Sequence, residues 1–161
     1  MKPADSQKDE AELKKSLEGF HKAFGAGSDD EKRKALAALL IDWPQLDLLF
    51  SRDADRIWSV YGRVRKRYLE HVDEFEYPVP AGVPVEIELI DVRQKDPSNG
   101  YRQVLAVIPK DIPVYRALFK HERGSSGSGT YLKVKGRWCW FQGLESIPAL
   151  LDGRLDLGRV K

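Results

Sequence analysis

Cysteine is almost missing from this chain, which carries one, Cys139, in 161 residues. A single thiol excludes an internal disulfide and a thiolate metal cage. Long hydrophobic runs are missing too: no stretch approaches the ~20 apolar residues that a membrane-spanning helix needs. The opening, Met1 to Glu10, has no apolar core of a secretory signal. A polar start of this kind is also what remains once an export signal or lipid-anchor segment has been removed. The compartment therefore stays open between exported or periplasmic, with its targeting segment gone, and cytoplasmic. Histidine is sparse, and His21, His71 and His121 include no pair at the i, i+4 spacing that points two ligands at one metal. Gly124 to Gly129 is glycine-rich but lacks the Gly-Lys-Ser/Thr of a phosphate loop and the spacing of a nucleophile elbow. No metal or cofactor is expected from these residues.

What is present is charge and aromatic surface. The net charge of +2 hides an asymmetry: residues 1–100 hold 16 basic and 20 acidic side chains, and residues 101–161 hold 11 and 5. The two halves carry about −4 and +6, so they attract each other, and much of the basic charge is answered within the fold rather than by nucleic acid.

Apolar residues at helical spacing dominate the first half. Leu13, Leu17, Phe20 and Phe24 predict a helix over 8–24, after a flexible tail over 1–7. Ser28 with Glu31 is a capping-box pattern opening a second helix from Asp29 to about Ile41. Asp42 with Gln45 repeats it before a short third helix through Phe50, and Pro44 is tolerated in the first turn. Ile57, Tyr61, Val64, Tyr68, Val72 and Phe75 predict the longest helix, over 53–76, which the prolines at 78, 80 and 84 end.

From Val85 the period changes to two. Val85, Ile87 and Leu89 begin a strand, and Tyr101 to Ile108 reads as a second, central one because Val104 to Ile108 leave no solvated face. Val114 to Arg123 is a third strand, Gly124 to Gly129 its hairpin loop, and Thr130 to Lys135 the return; Gly136 then turns into Arg137 to Phe141. A short helix over 146–151 and a tail over 152–161 complete a single α+β domain, N-terminal helices packed on a curved antiparallel sheet spanning 85–141.

Helices followed by strands that end in Tyr131-Leu132-Lys133-Val134-Lys135-Gly136-Arg137-Trp138-Cys139-Trp140-Phe141 resemble the NTF2-like superfamily within the broad cystatin-like group. The nearest flavour is its lumazine-binding-like and uncharacterised exported branch. The resemblance covers about residues 50–141 and implies either an NTF2-like cone or a helical subdomain on a cystatin-like sheet. It also implies a homodimer through the sheet, since sheets of this group often pair face to face.

Two functional readings follow. In the first, the chain is a non-catalytic module that binds a small apolar or aromatic ligand or a protein partner. Trp138, Trp140, Tyr115 and Phe119, with Leu132 and Val134, would line one side of the sheet; Tyr61, Val64 and Tyr68 of the long helix would cover most of it, leaving a hollow at one end. In the second, an isomerase- or dehydratase-type enzyme uses Asp91 as a carboxylate base, Tyr115 or Tyr61 as a donor and His121 in support. The plain alternative for Asp91 is pairing with Arg93 or Arg102. Cys139, between two tryptophans, reads as a small sheet residue pointing away from both indoles. Arg63, Arg65, Lys66 and Arg67 spread over a wide arc of the long helix and read as a solvated face rather than a nucleic-acid stripe.

Overall fold

The computed structural model describes residues 3–74, 83–93, 102 and 105–141. Four helices come first: α1 (Pro3–Ala26), α2 (Asp29–Leu39), α3 (Trp43–Phe50) and α4 (Ala54–Glu70). Four described strands follow as an antiparallel meander in chain order: β1 (Glu86–Asp91), β2 (Val114–His121), β3 (Gly124–Val134) and β4 (Arg137–Trp140). The protein is thus an α+β domain with its N-terminal helices packed on an open sheet.

The helix boundaries follow local chemistry. Ser28 Oγ accepts the Glu31 amide at 3.3 Å and opens α2. At α3 the capping box is complete: the Asp42 carboxylate accepts from the first-turn backbone, and the Gln45 side chain accepts from the Asp42 amide at 2.9 Å. These contacts satisfy amides that the first helical turn leaves without partners. Helix α1 begins at Pro3, ahead of the Lys8 expected from its stripe. Helix α4 stops at Glu70 rather than running to 76, because His71 leaves the helical region and Val72–Glu74 form a separate 3₁₀ turn.

Each sheet face has its own helices. Pairing of Asp91, Leu89 and Ile87 with Tyr115, Ala117 and Phe119, and of Tyr115 with Tyr131, places these side chains on one face together with Trp138 and Trp140. That face is packed by Leu13, Leu17, Phe20 and Phe24 of α1 and by Leu36 and Leu39 of α2. Val114, Leu132, Val134 and Cys139 occupy the other face, where Leu46, Leu49 and Phe50 of α3 and Ala54, Ile57 and Tyr61 of α4 cover them. The β4 edge is extended by the chain after α2, where the Ile41 amide donates to the Trp140 carbonyl at 3.1 Å.

Three expectations for the sheet are corrected. Leu105–Val107 and Arg102 are helical, so the apolar run expected as a central strand is not one at these residues. A continuous apolar run has no period to tell helix from strand, and here Ile108 is buried, Leu105 and Val107 partly so, and Ala106 exposed, as on one side of a helix. The glycine-serine stretch expected as a hairpin loop is ladder: Ser125 pairs with Lys120, Ser126 with Phe119 and Gly127 with Leu118, and the turn is Glu122-Arg123. Its return is irregular, since Ser128 and Gly129 both stand opposite Ala117 between two regular pairs, and Gly129 adopts φ +95° as bulge glycines do. Finally, Leu132 and Val134 do not share a face with the two tryptophans. The β3–β4 connection is a two-residue turn whose Lys135 and Gly136 have φ +49° and +77°, the primed geometry. It pairs Lys133 with Trp138 and Leu132 with Cys139, and so sends Leu132 to the opposite side.

The short helix expected over 146–151, the tail expected from 152, the turn expected over 96–100 and most of the proline segment lie outside the described residues.

Candidate functional site

The aromatic residues expected to line a hollow are divided between the two cores. Tyr115 and Phe119 are fully enclosed beneath α1 and α2, and Trp138 meets Tyr115 edge-on at 5.6 Å between ring centroids. Tyr61 is buried in the opposite core, edge-on to Phe141 at 5.3 Å, where burial drives its phenol pKa far above the ordinary tyrosine value. Tyr68 and Trp140 do meet, stacked at 6.5 Å and 5° from parallel, half-buried beside the first core. Helix α4 therefore spans both cores, Tyr61 serving one and Tyr68 the other. The aromatic face expected beneath α4 is covered by α1 and α2 instead.

The polar candidates are likewise separated. Asp91 and Tyr115 are cross-strand partners on one face, but His121 lies six residues further along β2, roughly 20 Å away at strand rise. Tyr61 is on the other face. The nearer contact of Asp91 is local: its Oδ1 accepts the Arg93 amide at 3.0 Å and closes the turn after β1. The Arg93 guanidinium donates to the Ile112 carbonyl at 2.9 Å and the Pro109 carbonyl at 2.8 Å, which ties that turn to the start of β2. Its partial burial lowers its pKa, and the Asp91 charge opposes that shift. The bond from Arg93 to Asp91 is thus a backbone one, and the guanidinium expected to pair with the carboxylate is directed to the two carbonyls.

Cys139 is buried opposite both indoles in the α3–α4 core, as its sequence position suggested, and burial pushes its thiol up to about 11. Among the described residues no three His, Cys, Asp or Glu side chains come together as a metal site.

A groove is open on the outside of α4. Its volume is about 460 Å³, and its lining is Trp58, Gly62, Arg63, Arg65, Lys66, Leu69 and Glu70. Trp58, Gly62, Arg65 and Leu69 stand at i, i+4, i+7 and i+11, one stripe along the helix. Glycine at 62 is what lets the indole lie there: a Cβ at this position would come 2.9 Å from Trp58 Cε2. The ring also meets Trp43 edge-on at 6.1 Å and Tyr61 at 6.2 Å, so it is fixed against the domain. Arg65 reaches Asp42 only at 3.7 Å, and its Nε is buried without a hydrogen-bond partner. Arg63 Nε donates to the Ser59 carbonyl at 3.0 Å, and Lys66 faces Glu70 at 3.8 Å. The basic residues were read from the sequence as a solvated face. The second apolar stripe, which turns that face into a groove, was missed, although Trp58 and Leu69 at helical spacing were the signal for it.

No family model, curated protein or solved structure matches this chain.

Proposed function

We propose that the chain is a non-catalytic binding module that engages a protein partner through the outer face of α4. The observation that carries this reading is the makeup of the groove: every described lining residue comes from one helix, α4. The described lining offers a small ligand one helix face, whereas binding sites for small molecules enclose most of their ligand. A peptide brings the second wall itself, and a stripe at i, i+4, i+7 and i+11 is how helix surfaces receive one. Separation of Asp91, His121 and Tyr61 supports the non-catalytic part, since proton transfer needs groups within hydrogen-bond reach. Helices ahead of an antiparallel meander remain in keeping with kinship to the NTF2-like or cystatin-like proteins, and the small apolar ligand is the competing reading.

The test is selection of a random peptide display library on the full chain, counted against Gly62→Gln, whose side chain displaces the Trp58 indole and fills the groove. Peptides that hold the wild type and release the blocked variant are expected. Peptides that hold both equally, or flat apolar compounds that raise the melting temperature of both, would reject the α4 face as the binding surface.

A further inference from the structure

We infer that the segment received by α4 is acidic and carries one apolar anchor, so that its side chain rests on Trp58, Gly62 and Leu69 while a carboxylate meets Arg65. This rests on the proposed role of the α4 groove and adds the chemistry of the partner.

Three observations converge on a carboxylate. Among the described residues the lining holds three cations, Arg63, Arg65 and Lys66, against one carboxylate, Glu70. Arg65 is the innermost of them, its side chain only 18% exposed, and its Nε–H is buried with no acceptor. A guanidinium nitrogen in that state is costly, and a carboxylate is its best acceptor because the planar fork matches two oxygens. Asp42 does not fill this role: its oxygen stands 3.7 Å from Nη2, and its other oxygen is engaged by the Trp43 amide at 2.8 Å. An incoming carboxylate would meet the accessible end of the Arg65 guanidinium, replace only the long 3.7 Å contact to Asp42, and reach the enclosed Nε as the side chain turns outward.

The anchor follows from the floor. Trp58 and Leu69 lie at either end of the stripe, and the indole lies across Gly62 between them. An aliphatic or aromatic side chain laid on that floor removes apolar surface from water on both partners. Glu70 at the far end of the groove repels acid, so the carboxylates of the partner belong toward Arg63 and Arg65. Nucleic acid fits less well. Phosphates would satisfy the guanidinium groups, but the Trp58–Leu69 floor offers the bases no polar partner, and Glu70 borders it.

The peptides selected on the wild-type chain decide this. They are sequenced, and representative ones are titrated against the wild type, Arg65→Gln, Lys66→Gln and Trp58→Ala, with the melting temperature of each variant measured beside its affinity. Expected are sequences enriched in Asp or Glu next to a large apolar residue, whose Kd rises about tenfold or more in Arg65→Gln. A smaller rise is expected in Lys66→Gln, whose position is solvated and which controls for folding. Peptides that need Trp58 but show no acidic enrichment, or bind Arg65→Gln unchanged, would overturn the acidic class and keep the α4 face. Peptides indifferent to Trp58→Ala, or no enrichment over bare support, would overturn both. A thymidine oligonucleotide that binds at low salt and is lost in Arg65→Gln would assign the groove to nucleic acid instead.

Discussion

The Lys133 ammonium lies 2.7 Å from Asp9 Oδ1, a salt bridge that fastens the first helix to the third strand across 124 positions of sequence. Glu12 Oε2 accepts a second bond from the same ammonium at 2.9 Å, and the Trp138 ring lies 6.0 Å away on the strand beside it. Lys133 is the charged residue of the β3 segment 130–134 on the α1 side, next to Tyr131 and opposite Trp138. The bond to Asp9, then that to Glu12, holds the Lys133 pKa above the ordinary lysine value, and the bond to Lys133 holds Glu12 below the ordinary carboxylate value.

Docking of α1 should therefore depend on pH at both ends. A raised lysine pKa contributes stability that is complete below the unfolded value, about 10.4, and is lost as pH rises through the folded one. A lowered glutamate pKa contributes stability present above its unfolded value, about 4.3, and lost as pH falls through the folded one. Amide exchange in α1 should be slowest between about pH 5 and 10, once intrinsic exchange rates are divided out, relative to amides of α4. Asp9→Asn should cost about 1–3 kcal/mol, because Asp9 is buried. Glu12→Gln should cost much less, its side chain being 40% exposed. Equal effects of the two substitutions would contradict this ranking.

Residues with a local instruction behaved as their sequence implied. Ser28, Asp42 and Gln45 cap the helices that follow them, and Lys135-Gly136 makes the tight turn. Leu13, Leu17, Phe20 and Phe24 form one buried stripe. Expectation and structure part where the local signal is silent or where its consequence lies on the neighbouring strand. The run 104–108 carries no period, and the short side chains of Ser125 and Ser126 fit a ladder as well as a loop. The two-residue turn already fixed Lys133 opposite Trp138 and therefore Leu132 on the other face, which could have been counted from the sequence. Which helices cover which face is set by long-range packing, and the α4 groove depends on that arrangement, so neither was legible from spacing alone.

Gly129 should resist substitution. It holds φ +95° in the bulge of β3, and a Cβ there would stand 2.7 Å from Trp140 Nε1. The added carbon meets a half-buried ring that stacks on Tyr68. Gly129→Ala should cost about 1–3 kcal/mol from left-handed strain and the displaced indole together. A denaturant midpoint lower than wild type at unchanged slope, with altered tryptophan emission, is the expected result. Unchanged stability would show that the bulge relaxes freely.

Arg137 should act as a distant helix cap. Its Nη2 donates to the Ala38 carbonyl at 2.7 Å and the Leu40 carbonyl at 3.3 Å, and its Nε reaches the Ala38 carbonyl at 3.2 Å. These carbonyls lie at the end of α2, which has no basic residue of its own in its last turn. Arg137→Lys keeps the charge and loses the fork, and should cost about 1 kcal/mol with faster exchange at the C-terminal amides of α2. Loss confined to β4, with α2 unaffected, would show that the strand and not the cap needs the guanidinium.

Cys139 should be unreactive until β4 opens. Its thiol is buried between strand β3 and the α3–α4 core, and burial pushes it up to about 11. At pH 8 the thiolate fraction is then about 100-fold below that of an exposed cysteine, before the barrier to reagent entry is counted. Labelling by an aromatic disulfide reagent should be far slower than for a free thiol, and should rise with urea in step with loss of near-ultraviolet circular dichroism. The β4 edge is held by the bond from the Ile41 amide to the Trp140 carbonyl, so β4 and the chain after α2 should open together. Stoichiometric labelling within minutes in native buffer, with helical signal intact, would instead mean that β4 detaches locally while the helices hold.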